Sequence, residues 1–270
     1  MDRIVCKFGG SSAANAEGFH RIRTILNENL ARRYIVLSAP GALEGMPKVT
    51  DLLEQVWREG GCGPATDAVV RRFRDIRAGL GLPPGDGAVR NALATAAHVS
   101  RAHTLSRGEY LSARLFSEYA GLTFVDAAHF VCFDAKGTLD VQRSITRLSV
   151  LPSMYFRAVV PGFYGSDPSG NLVTLPRNGS DITGAILAAA VHAALYENWT
   201  DVPGLMTADP RRDPGARLIP VTDYPEMRAF AQNGARVLHP DCLAPVEQAG
   251  IPTRLKYTLQ PEAPGTLIRA

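Results

Sequence analysis

The chain has 270 residues, 46% hydrophobic and 20% charged, with a formal net charge of +3. That length can bury a full core as one α/β domain or two closely fused lobes. So small a charge, without a dense Lys/Arg run, argues against nucleic-acid binding. Four scattered cysteines (Cys6, Cys62, Cys132 and Cys242) with no Cys-x-x-Cys pair fit a reduced cytoplasmic protein without structural zinc. No signal-peptide core is present at the N-terminus. The apolar stretch 185–195 is too short to span a bilayer and reads as a buried helix.

Apolar runs of strand length alternate with helical stretches, as in a parallel sheet covered on both faces. Residues 3–7 read as the first strand, running into Lys7-Phe8-Gly9-Gly10-Ser11-Ser12. Residues 16–31 read as a helix with Phe19, Ile22, Ile25, Leu26 and Leu30 on one side. The second strand, 34–37, ends at Ser38-Ala39-Pro40-Gly41, and a helix from 50 to 60 is capped by Thr50 or Asp51. Residues 60–86, rich in Gly and Pro at both ends, read as an excursion away from the sheet. Within it, Arg71, Arg72, Arg74 and Arg77 read as the solvated face of a basic helix.

Residues 91–120 read as one helix, 124–125 and 130–133 as strands, and 158–160 as a strand meeting Pro161-Gly162. The apolar run 172–175 leads into Arg177-Asn178-Gly179-Ser180-Asp181-Ile182-Thr183-Gly184, followed by a helix over 185–196 and a strand over 196–200. The proline-punctuated remainder shows one clear helix, near 225–232. No repeat, heptad or low-complexity tract interrupts the pattern.

Two of these turns are alike: an apolar run, small residues carrying a cation, then a helix. Glycine lets the backbone approach an anion closely, and the free N–H groups of a helix start point at it. The first turn offers Lys7 for phosphate; the second offers Arg177 and Asp181 together. The pairing implies two anionic ligands, a phosphate chain and a second molecule that also carries an amine.

Five segments in order, VCKFGGSS (5–12), LSAPG (37–41) with KVTDLL (48–53), RGEYLSARLF (107–116), VVPGFYGSDPSGNLVTLPRNGSDITGA (159–185), and WTDVPGLMTADPRR (199–212) with NGARVLHP (233–240), carry a resemblance to the aspartate kinase catalytic domain of the amino-acid kinase family. It extends over nearly the whole chain. The resemblance implies a three-layer α/β/α sandwich around a mainly parallel sheet. It implies a single catalytic domain over 1–270, with an amino-acid-binding lobe to about 175 and a nucleotide-binding lobe from about 176. No C-terminal ACT domain follows, so feedback inhibition by lysine or threonine is not expected.

The implied reaction transfers the γ-phosphoryl of ATP to the side-chain carboxylate of L-aspartate. The product, 4-phospho-L-aspartate, opens the biosynthesis of lysine, threonine and methionine. A carboxylate is already anionic, so the obstacles are charge repulsion and positioning, and no general base is needed. The expected partner is a small-molecule substrate, with neither nucleic acid nor membrane; a homodimer is compatible, with no surface fixed by the sequence.

By the same resemblance, Lys7 and the Gly9, Gly10 and Ser11 amides hold the β and γ phosphates, with the lysine preceding the glycines, unlike a Walker A loop. Arg177 would fork onto the α-carboxylate beside Ser180, and Asp181 and Glu109 would face the ammonium. Ser38 and Thr50 would hydrogen-bond the reacting carboxylate. Arg107 would touch ligand or, alternatively, pair with Glu109 or a neighbouring helix. Base and ribose are expected against Trp199, Thr200, Asp201, Met206 and Asp209, with Arg211 reaching phosphate; Trp199 reads equally as core. Mg²⁺ would ride on the phosphates without assigned protein ligands. Arg236 stands at a catalytic, nucleotide-facing position that is usually lysine. Asn178 replaces a glycine but tolerates positive φ, and Met206 stands where tyrosine is common. These three departures motivate two alternatives: a kinase for a related amino-acid acceptor, or a non-catalytic nucleotide-binding regulatory subunit.

Overall fold

The structure, a computed structural model, describes residues 2–176, 178–208, 215–232 and 242–269. The chain opens with β1 (Ile4–Phe8), α1 (Ala16–Glu28), β2 (Arg32–Leu37) and α2 (Val49–Arg58). Three helices follow, α3 (Pro64–Gly79), α4 (Asp86–Val99) and α5 (Arg101–Ala120). The middle holds β3 (Thr123–Phe124), β4 (Cys132–Phe133), β5 (Leu139–Asp140), α6 (Val141–Leu148), α7 (Leu151–Met154), β6 (Ala158–Pro161), β7 (Tyr164–Ser166) and β8 (Leu172–Thr174). The last part holds α8 (Gly179–Ala190), β9 (Leu195–Thr200), β10 (Val221–Asp223), α9 (Tyr224–Gln232), α10 (Ala244–Gln248), β11 (Thr253–Tyr257) and β12 (Thr266–Arg269).

The central sheet has eight strands in the order β10-β12-β11-β9-β1-β2-β6-β3. Its neighbours pair in parallel except β11 with β12, so β12 and β10 run against the rest. A second sheet, β5-β4-β7-β8, lies apart from it. Strand order reverses at β1, which has β2 on one side and β9 on the other. Open α/β sheets bind ligands in the crevice outside the carboxyl ends at such a point.

Side chains alternate across the sheet as a period of two requires. Val5, Val36, Val160, Tyr196 and Leu255 pack on the side of α8, whereas Cys6, Phe8, Ile35, Leu37, Val159 and Trp199 pack on the side of α1, α2, α3 and α5. α8 is buried along its whole length, as expected of a helix apolar on every side. Helix carboxyl ends gather at the opposite edge of the sheet, where arginines cap them: Arg3 donates to Val191 O at 3.1 Å and Arg32 to Ile25 O at 2.6 Å. Among the described residues no helix is long and apolar enough to cross a membrane.

Several sequence expectations shift. The helix over 91–120 is two helices, broken at Ser100 (φ −167°), whose hydroxyl accepts the His103 N–H and caps the second. α1 stops at Glu28, leaving Leu30 65% exposed. α2 begins at Val49 with Lys48 as its N-cap residue and no side-chain cap bond, so neither Thr50 nor Asp51 caps it. The 60–86 stretch is no excursion: Val69, Val70, Phe73 and Ile76 of α3 join the core. Arg72 is buried with them, not on a solvated face. Among the described residues the C-terminal part also holds β10 before α9, and α10, β11 and β12 after it, which short lengths and prolines hid from a periodicity reading.

Candidate active site

On β1, Lys7 shares the face of Val5 and points at the start of α8. Its Nζ lies 2.6 Å from Asp181 Oδ1, with 10% and 9% of the two side chains exposed. Directly across from Lys7 in the parallel register, Asn198 of β9 donates Nδ2 to the same oxygen at 2.7 Å. Tyr196, on the same strand face, donates its hydroxyl to the Asp181 main-chain oxygen at 3.1 Å. An acid in a first helical turn is favoured by the dipole alone. Here it is also fixed by two side chains from two other strands.

The turn into α8 places Asn178 at φ 64° and ψ 21°, left-handed backbone that asparagine tolerates. Asn178 therefore keeps the turn a glycine would make. Ser180 beside it is buried. Phe163 faces this turn at φ 77°, and its N–H donates to Thr183 Oγ1 at 3.2 Å. A bulky residue at positive φ is strained and persists where its surroundings over-determine it, commonly at ligand sites.

The loops after β1 and β2 meet backbone to backbone. Gly41 N–H donates to Gly10 O at 2.8 Å, and a Cβ on Gly10 would stand 2.8 Å from Ala39 O, so both positions need glycine. Gly9 N–H is bonded to Trp199 O at 3.1 Å. Ser12 Oγ lies 2.6 Å from Thr258 Oγ1, which donates to Thr200 O at 3.0 Å. The glycine loop carrying Ser11 is thus tied to the end of β9.

Ser38 and Thr50 are half-buried, and neither hydroxyl has a hydrogen-bond partner among the described residues. Glu109 arrives on α5, where Gly108 packs so closely on Ala39 that a Cβ would fall 2.7 Å from the Ala39 methyl. Glu109 is 4% exposed and its Oε2 has no hydrogen-bond partner among the described residues. Burial pushes its carboxyl up to about 8, against the Ala39 amide and the Lys7 charge. Arg107 does not pair with it: the guanidinium lies 4.2 Å from the Tyr110 ring centroid and donates to Ser106 Oγ.

On the nucleotide side, Trp199 is fully buried, stacked on Phe8, with Nε1 donating to Glu197 at 3.0 Å. It is core, and its ring is closed to a base. Thr200 Oγ1 reaches Asp201 Oδ1 at 3.2 Å at the exposed end of β9, and Met206 pairs with Leu218 in a short bridge. Arg177, Asp209, Arg211 and Arg236, with His239 and Pro240, lie outside the described residues. Among the described residues no three His, Cys, Asp or Glu side chains gather to hold a metal.

Sequence reading missed Asn198, Phe163, Thr258 and Arg72. A signal for the first existed: Leu195-Tyr196-Glu197-Asn198-Trp199-Thr200 places two polar residues inside a buried strand, which demands partners.

The model of the amino acid kinase family matches residues 2–256. Aspartokinase 3 of Bacillus subtilis is 33% identical over 98% of this chain and 63% of its own length. The crystal structure of Clostridium acetobutylicum aspartate kinase superposes with a TM-score of 0.91 at 36% identity, covering 98% of this chain and 63% of that one. Aspartokinase III of E. coli, in complex with aspartate and ADP, superposes at 0.82 with 29% identity, covering 99% and 64%. The chain therefore spans somewhat under two thirds of the length of these relatives.

Proposed function

The chain belongs to the amino acid kinase family, and from that premise we propose that it transfers the γ-phosphoryl of ATP to the side-chain carboxylate of L-aspartate. A carboxylate oxygen attacks the γ phosphorus, the bond to the bridging β–γ oxygen breaks, and ADP leaves with that electron pair. The observation that carries the reading is the Lys7–Asp181–Asn198 cluster at the strand-order reversal, between the glycine loop and the start of α8. The E. coli relative was solved with aspartate and ADP, which supports both ligands.

Lys7 and the Gly10 and Ser11 amides hold the phosphates and offset negative charge as it shifts in transfer; the Gly9 N–H expected to join them is taken by Trp199 O. Asp181 anchors Lys7 and shares the substrate ammonium with Glu109, whose unpartnered oxygen is buried beside the site. Ser38 and Thr50, with free hydroxyls, orient the reacting carboxylate, while Arg177 and Ser180 take the α-carboxylate. Thr200, Asp201 and Met206 serve the nucleotide, and the resemblance assigns Asp209, Arg211 and Arg236 to it as well. Mg²⁺ bound to the phosphates would supply charge neutralisation.

The test is ATP- and Mg²⁺-dependent acyl phosphate formation, trapped as a hydroxamate, with L-aspartate, L-glutamate or no acceptor, and Lys7→Ala in parallel. Product with aspartate alone, lost in the variant, is expected. Product with a different amino acid would redirect the acceptor, and ATP binding without any product would overturn the kinase reading.

A further inference from the structure

Arg72 sits mid-way along α3, which packs against α1, α2 and α4. Only 4% of the residue is exposed, and it makes no salt bridge among the described residues. Its guanidinium bonds main-chain oxygens instead. Nη1 donates to Ala14 O at 3.1 Å and to Gly41 O at 3.0 Å, and Nη2 donates to Pro47 O at 3.1 Å. A buried cation is costly to keep unless its donors are filled. A planar fork can fill them from several directions at once, which a compact ammonium cannot.

The three carbonyls have a common location. Ala14 closes the glycine loop between β1 and α1, Gly41 ends the turn after β2 that carries Ser38, and Pro47 precedes the α2 turn that carries Thr50. One side chain thus binds the phosphate-side loop and both acceptor-side segments. The same loops already touch at Gly10 and Gly41. The three hydrogen bonds of the Arg72 guanidinium all go to main-chain oxygens.

We propose that Arg72 is a positioning residue that sets the distance between the phosphate loop and the loop holding the acceptor carboxylate. The inference rests on the kinase reading, since it concerns how two substrates are aligned. What Arg72 holds is the placement of the β1–α1 loop against the β2–α2 connection, which it grips at two points. Loss of the fork should therefore lower turnover more than it weakens either substrate. A misplacement of about 1 Å between reacting groups costs on the order of 10²-fold in rate.

The experiment compares the full-length wild type with Arg72→Met and Arg72→Lys. Arg72→Met keeps apolar length and removes every donor. Three quantities are read: kcat and both KM values from hydroxamate trapping, ATP-binding stoichiometry by calorimetry, and amide hydrogen exchange over 9–15 and 38–50. The expected result for Arg72→Met is kcat down about 10²-fold with each KM changed less than tenfold. Stoichiometry stays at the wild-type value, and faster exchange is confined to the two loops. Arg72→Lys falls between, and decides the matter if the Met variant does not fold.

Unchanged kcat with unchanged loop exchange would overturn the proposal. So would a loss of turnover that merely tracks lost ATP stoichiometry, because that is loss of folded protein. If the wild type forms no acyl phosphate, the kinase reading fails instead. Loop exchange then decides the clamp: selective loosening of both loops is the expected result, and its absence overturns the proposal.

Discussion

Two buried ion pairs join the amino-terminal strands to the β9–α8 region, and they are built to different ends. On the α1 side of the sheet, Glu197 accepts from Arg32 Nε at 2.8 Å and Nη2 at 3.3 Å, from Trp199 Nε1 at 3.0 Å and from the Cys6 thiol at 3.4 Å. Arg32 spends a further donor on Ile25 O. Burial, reinforced by the Glu197 charge, pushes the Cys6 thiol well up, so it stays protonated and donating. On the α8 side, Lys7 and Asn198 both meet Asp181 at Oδ1, and Glu109 nearby keeps a bare oxygen. Burial is similar in the two pairs; what differs is saturation. A fully occupied pair holds structure, whereas a pair with unspent donors and acceptors can exchange them with a ligand.

Single-partner variants test that contrast most strongly. Lys7→Met should lower kcat roughly 10²–10³-fold while costing less thermal stability than the variant on the other side. Arg32→Met strands a buried carboxylate and should cost about 3–5 kcal/mol of folding free energy, with activity per folded chain retained. Chemical denaturation paired with active-site titration reads both. Equal stability losses and equal activity losses would dissolve the distinction.

Glu109→Gln sharpens it through pH. The folded-state carboxyl titrates at about 8 against an ordinary 4.5. The protonated form is therefore favoured by folding, and the stability it contributes is present below pH 4.5 and lost as pH rises through about 8. Wild-type melting temperature should fall across that window more than in Glu109→Gln, which has no proton to lose. Acceptor binding adds an opposite signature. An ammonium against the ionised carboxylate favours proton release, so the KM for aspartate should fall as pH rises towards 9. In the glutamine variant KM should be higher and flat. A wild-type KM without pH dependence between 6 and 9 would remove Glu109 from the ammonium site.

How far the sequence spoke for itself follows from the range of the signals. β1, β2, β6 and α1 were legible because runs such as Ile4-Val5-Cys6 are local and strongly patterned, whereas the helix expected over 185–196 is displaced: α8 starts at Gly179, directly after the Asn178 turn, and ends at Ala190. The glycine turns suggested an anion site each, but the direct contact of Lys7 with Asp181 was not legible in either motif. Ser100 was hidden because a capping serine leaves helical periodicity on both sides intact. Arg72 was misread for a physical reason: an arginine at helical spacing looks solvated unless one knows which carbonyls await it, and Ala14, Gly41 and Pro47 come from two loops remote in sequence from α3. Asn198 depended likewise on a register set by tertiary pairing.

The smallest effect is expected at Thr258, whose hydroxyl bridges Ser12 Oγ and Thr200 O in a site that is 1% exposed. Thr258→Val keeps the shape and the β-branched backbone preference but removes that bridge. The Ser12 hydroxyl would then lack its partner, at a cost of about 1 kcal/mol. Because the bridge joins the glycine loop to the end of β9, its loss should raise the KM for ATP several-fold. The acceptor KM should stay within twofold, since Ser38, Thr50 and Glu109 hang from other elements. Initial rates over an ATP series at saturating aspartate measure the first quantity, and the reciprocal series measures the second. A rise confined to the acceptor KM would show that the Ser12–Thr258 bridge supports the wrong side of the crevice for a phosphate loop.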